Sequence, residues 1–147
     1  MKGKRRTITI RTRHPANPHP EVLATVYGDW AVHPILMQYD DGHTTEDADM
    51  SAITHVPSGL RLVSLWHKDR RLHALARWMA DHAHVYLTAD PVTEPGAFTA
   101  QTPALMAAAR QANVAPDSWH VRLGYAPIAD AAASVRLDGE TQEVKLG

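Results

Sequence analysis

The sequence predicts an α+β fold, a mainly antiparallel sheet with about two helices packed on one face. Three observations predict it. Short strand-like runs crowd the first 66 residues, one clear amphipathic helical period lies near 69–83, and a second helix-like stretch is followed by further short strands. Strands and helices grouped in this way give helices segregated to one side of an antiparallel sheet.

The elements are justified in chain order. Segment 7–13 alternates, with Thr7, Thr9, Arg11 and Arg13 on one side and Ile8, Ile10 and Thr12 on the other. A period of two is the mark of a half-buried strand. Arg5 is in phase with the polar side, so that side carries Arg5, Arg11 and Arg13. The three prolines between Pro15 and Pro20 make a loop. Runs 22–27 and 30–37 flank Gly28-Asp29 and read as a tight hairpin, with the glycine taking positive φ at the first turn position. Pro34 places the second of these strands at an edge or bends it there. Residues 40–51 (DDGHTTEDADMS) are polar, without an apolar period, and are expected to be a loop. Residues 52–56 and 60–66 read as strands joined by the turn Pro57-Ser58-Gly59.

Leu72, Leu75, Ala76, Met79 and Ala83 form one helical stripe, with Asp69 as the expected N-cap. Arg70, His73, Ala74, Arg77 and Asp81 fall on the opposite side, with Arg71 and Trp78 on one flank of it. Residues 84–88 alternate and predict a strand, and 90–101 a loop. Thr102-Pro103 then predicts the N-cap and first residue of a second helix running to about Ala112. Short strands are expected at 118–124, at 131–137 and near 141–146.

A chain of 147 residues with 44% hydrophobic content is expected to be a single domain, 1–147, with a true core. No run approaches the length of a membrane helix, and the residues after the basic N-terminus are not an apolar signal core. There is no cysteine, which removes disulfides, thiolate catalysis and cysteine zinc sites, and makes a reducing cytoplasm the expected compartment.

Charge is sorted along the chain. Residues 1–20 hold Lys2, Lys4, Arg5, Arg6, Arg11 and Arg13 and no acid. Residues 14–60 hold no Lys or Arg, but carry Glu21, Asp29, Asp40, Asp41, Glu46, Asp47 and Asp49. The formal net charge of -1 conceals this order. Sorted charge builds a field that steers a charged partner. Arg5, Arg11 and Arg13 on a strand, extended by Arg70, Arg71 and Arg77 on a helix, suit phosphate contacts, and Trp66 or Trp78 suits stacking on a base. The acids Asp40, Asp41, Glu46, Asp47 and Asp49 suit docking on a basic partner; their spacing does not fit an EF-hand.

Ten histidines are the other excess. His82 and His84, if both lie in a strand, share a face, with His73 close by. His33 and His55 lie in candidate neighbouring strands, where a cross-strand pair would suit acid–base work. Hydrolase signatures are absent: there is no G-x-S-x-G, no P-loop and no H-E-x-x-H. Of the two H-x-[ST] strands a two-histidine phosphoesterase needs, only His43-Thr44-Thr45 fits.

Trp30-Ala-Val-His33 and Thr54-His55-Val56-Pro57-Ser58-Gly59-Leu60, followed by an alanine- and leucine-rich helix, resemble small phage- and prophage-encoded proteins with a W-x-V-H strand and a T-H-x-P-[ST]-G-L turn. The resemblance spans residues 30–80. It implies a mobile-element origin and action by binding, as in phage inhibitors of host defence nucleases such as CRISPR effectors.

The function expected from the sequence is therefore that of a non-catalytic, phage-type binding protein. Its partner is a nucleic acid or a host nucleoprotein complex. No catalytic residue, metal or cofactor is expected, and no membrane. Self-pairing through an edge strand is left open. The alternatives are a direct nucleic-acid-binding protein and a small metal- or histidine-dependent hydrolase using His33, His55, His73, His82 or His84.

Overall fold

The computed structural model describes residues 2–65 and 70–125. Within them lie six strands: β1 (Lys4–Thr9), β2 (Glu21–Tyr27), β3 (Trp30–Gln38), β4 (Thr44–His55), β5 (Leu60–Leu65) and β6 (His120–Gly124). Two helices, α1 (Arg70–Tyr86) and α2 (Pro95–Gln111), separate β5 from β6. The strands form one antiparallel sheet in chain order, β1 through β6. The α+β architecture is the one expected. Asp69, Trp66, His67 and the strands expected at 131–137 and 141–146 lie outside the described residues.

The β2–β3 hairpin turns as predicted: Tyr27 pairs with Trp30 and Gly28 takes φ 60°. Pro34 does not sit on an edge strand. β3 is internal to the sheet and bends instead, its register slipping between Pro34 and Leu36. On the facing strand this slip spans Glu46 to Ser51, so residues 47–50 bulge out of the ladder.

Two readings of the sheet are corrected. The first strand is Lys4–Thr9 and not 7–13. The ladder to β2 fails beyond it because of proline. Ile10 and Thr12 still donate to the carbonyls of Pro20 and Pro18, at 2.9 and 2.8 Å, but neither proline has an N–H to return. The second correction is larger. Residues 40–51 are not a loop: β4 begins at Thr44, and Leu36, Met37 and Gln38 pair with Glu46, Thr45 and Thr44. Only Tyr39–His43 turn. β5 pairs with β4 from Ser51 onward, so the acidic half of β4 extends past β5 as a two-stranded arm with β3. Asn17 braces its tip, its side-chain amide donating to the Gly42 carbonyl at 3.0 Å and its own carbonyl accepting from Gln38 Nε2 at 2.8 Å.

The helices also differ from expectation. Residues 84–88 are not a strand. The apolar stripe Met79, Ala83, Tyr86, Leu87 continues at helical spacing, and Leu87 N–H still donates to the Ala83 carbonyl at 2.7 Å. Residues 90–101 are a loop only as far as Glu94, because α2 starts at Pro95. Pro103 therefore lies inside the helix. Its missing N–H leaves the Thr99 carbonyl unserved, and the Thr102 hydroxyl donates to that carbonyl at 2.8 Å.

Both faces of the sheet are buried. On one, Tyr27, Trp30, Val32, Ile53 and Val63 pack against Leu72, Leu75, Met79, Phe98 and Leu105 of the helices. On the other, Ile8, Ile10, Val22, Ala24, Val26, Ala31 and Leu36 form a second cluster. The sheet curls around that second cluster until the chain beyond β1 meets the β4–β5 turn, where Arg11 N–H donates to the Gly59 carbonyl at 2.8 Å. A side chain on Gly59, at φ +73°, would stand 3.2 Å from that nitrogen. Glycine is what lets the two backbones close there.

Candidate anion-binding groove

α1 covers the middle of its sheet face and leaves the part beside β1 and the arm open. The opening is a groove of about 410 Å³ lined by Arg5, Leu23, Val32, His33, Pro34, Glu46, Ser51, Arg70 and His73. Each wall follows from local structure. Arg5 shares a face of β1 with Thr7 and Thr9, and its guanidinium donates to Thr25 Oγ1 on β2 at 3.2 Å. Leu23 lies on the same sheet face and is 46% exposed. Arg70, His73 and Arg77 recur at i, i+3, i+7 and so line one flank of α1.

Two arginines, Arg5 and Arg70, line the groove, and Arg77 lies two turns along the same flank of α1. The Arg77 guanidinium stacks over the Tyr27 ring at 5.4 Å. The Tyr27 hydroxyl is hydrogen-bonded to His73 Nδ1 at 3.0 Å. Burial, with Arg77 and Arg5 nearby, holds His73 below its ordinary pKa, so it is neutral at pH 7. Among the described residues no carboxylate forms an ion pair with Arg5, Arg70 or Arg77. Among the described residues Glu46 is the one acid on the wall.

The residues expected to form one basic face divide into three groups. Arg5 and Arg70 line the groove together, and Arg77 lies on the same flank of α1, over Tyr27. Arg71 and Trp78 do not join them. Successive helical residues point about 100° apart, and Trp78 with Arg71 turns toward the opposite flank. There Arg71 pairs with Asp117 at 2.8 Å, and Trp78 stacks on His82 at 4.7 Å and on Tyr86 at 6.5 Å. Arg11 and Arg13 are also elsewhere. Arg11 lies beside Gly59, and Arg13 stacks over the Tyr125 ring at 4.9 Å, next to β6.

The acids Asp40, Asp41, Glu46, Asp47 and Asp49 all ride on the arm. Asp41 is tied to His43, whose amide and ring hold its carboxyl below the usual range, and His43 stacks on Tyr39 at 4.5 Å. The Asp47 carboxylate accepts from the Asp49 amide at 2.7 Å within the bulge. Glu46 alone reaches the groove, so one member of the acidic run faces the arginines.

The histidine pairings do not form. His33 lies opposite Ala52 and His55 opposite Trp30. His33 bonds the Pro34 carbonyl and Thr54, and His55 bonds Ser58. His82 and His84 sit in α1, where two residues' separation turns them to nearly opposite sides. Among the described residues no group of three or more His, Asp or Glu is placed to hold a metal ion.

Sequence reasoning missed Tyr27, Leu23 and the groove role of His73. The i, i+3, i+7 spacing of Arg70, His73 and Arg77 was the available signal for the last. Comparison of the chain with protein-family models, curated proteins and solved structures finds no match.

Proposed function

We propose that the protein is a non-catalytic binding protein whose ligand is a nucleic-acid strand, held by its phosphate in the groove lined by Arg5 and Arg70, with Arg77 on the same flank of α1. One observation carries the reading: two arginines, Arg5 and Arg70, line an open groove, a third, Arg77, lies two turns along the same flank of α1, and none has a carboxylate partner among the described residues. Guanidinium groups present forked donors that match phosphate oxygens. Leu23, Val32 and Pro34 supply an apolar wall for sugar or base.

The test is fluorescence anisotropy with a labelled single-stranded oligonucleotide across a salt series. Binding is expected at about 50 mM salt and should weaken steeply above it, with each phosphate contact contributing about 0.7 to the log–log slope. Arg5→Ala, Arg70→Ala and Arg77→Ala should each lower both affinity and slope; Arg71→Ala, on the other flank, should change neither. No binding of the wild type at about 50 mM salt would refute the reading.

A second reading rests on the arm, which carries Asp40, Asp41, Asp47 and Asp49 beyond the β4–β5 pairing. Such an arm suits docking on the basic surface of a nucleoprotein complex, the mode of action that the phage-type resemblance implies. Affinity capture from a host lysate with and without nuclease separates the two. A partner that survives nuclease and is lost on reversing Asp40, Asp41 and Asp47 favours the arm.

A further inference from the structure

The groove has more structure than a basic surface needs. Its volume, about 410 Å³, is near the lower end of the range for small-molecule pockets, about 300–1,000 Å³. Its wall combines the cations Arg5 and Arg70, the neutral imidazole of His73, the apolar side chain of Leu23, and one carboxylate, Glu46. A strand laid through the whole groove would carry a phosphate past that carboxylate, with like charges close together. One nucleotide entering by its end meets no such conflict.

Building on the nucleic-acid reading above, we infer that the groove takes a single terminal nucleotide bearing a phosphate monoester. The monoester carries about -1.5 to -2 at pH 7 and has three acceptor oxygens, against the single charge of an internal diester. That charge matches a wall with two arginines, Arg5 and Arg70, and with Arg77 two turns along the same flank of α1. Glu46 then accepts a hydrogen bond from a base amino group or a ribose hydroxyl instead of opposing a second phosphate. Leu23 packs against the sugar or base edge.

The test compares oligonucleotides of one sequence carrying a 5′-phosphate, a 3′-phosphate or hydroxyls at both ends, at about 50 mM salt. One of the phosphorylated strands is expected to bind about tenfold tighter than the hydroxyl strand or better; which one it is reports the orientation of the bound end. Glu46→Gln should narrow that gap by admitting the hydroxyl strand. If all three strands bind alike, internal phosphates carry the binding and the inference falls, while the strand-binding function stands. A gap that Glu46→Gln leaves unchanged overturns the part given to Glu46. If no strand binds, the underlying reading fails as well.

Discussion

His33 shows how one buried side chain links the second core to pH. The Pro34 carbonyl can only accept, so His33 Nδ1 carries the proton and donates at 2.7 Å. Nε2 is then a bare acceptor for the Thr54 hydroxyl, also at 2.7 Å. A second proton would have to displace the Thr54 donor, inside a space that also holds Arg61. Burial, with Arg61 adding to it against the Pro34 hydrogen bond, lowers the His33 pKa from 6.5 to about 4. Burial beside Arg122 likewise lowers Arg61 to about 10. The sign for His33 follows from linkage. Below pH 6.5 the unfolded chain binds a proton that the folded one refuses until about pH 4, so stability is whole above 6.5 and is lost as pH falls between those values. The loss is about 3 kcal/mol. Urea denaturation at pH 7 and 4.5 measures it. His33→Gln should start less stable but show a flatter pH dependence. An equally steep dependence in that variant would rule His33 out as its source.

At the scale of the element, α2 depends on a repair. Pro103 removes one helical donor, and the Thr102 hydroxyl serves the carbonyl left behind. Thr102→Val keeps the shape and removes the donor, so it should lower stability by about 1 kcal/mol, read as a shift in the denaturation midpoint. Thr102→Ser should retain most of it. The same segment shows what local signals conceal. Thr102-Pro103 has the form of a helix start, but Phe98, Thr102, Leu105, Met106 and Ala109 form one buried stripe that begins a turn earlier. The stripe outweighs the cap. β4 is the opposite case. Nothing in DDGHTTEDADMS alternates in polarity, because among the described residues this half of the strand pairs with β3 alone and buries no side chain from Thr44 to Met50. Its backbone is ordered by pairing with β3 across the Tyr39–His43 turn and by Asn17, which lies distant in sequence. Helix α1, the β2–β3 hairpin and the Pro57–Gly59 turn were legible because periodicity or turn chemistry fixes them locally. Of the site, Arg5 and the Arg70–Arg77 flank were legible as basic faces. Their meeting was not, because it depends on how α1 crosses the sheet.

At the scale of the molecule, charge order along the chain is only partly charge order in space. Arg11 lies about 20 Å farther along an extended chain than Arg5, and it is carried with Arg13 to the β4–β5 turn and the β6 edge. The basic N-terminal run is thus divided between two surfaces. The acidic run stays together on one arm, and that arm forms a wall of the groove through Glu46. On the strand-binding proposal, an approaching strand meets an attractive groove beside a repulsive arm. Screening decides how far the arm acts, since the Debye length is about 10 Å at 0.1 M salt and about 3 Å at 1 M. Neutralising Asp40, Asp41, Asp47 and Asp49 to Asn together should raise the association rate of an oligonucleotide severalfold at low salt and leave it unchanged near 1 M. The dissociation rate should hardly move, because these four side chains are not on the groove wall. Stopped-flow association at both salts decides it. An association rate unaltered at low salt would mean that the arm lies outside the field the ligand meets. A change in dissociation alone would place one of the four acids in contact with the bound strand.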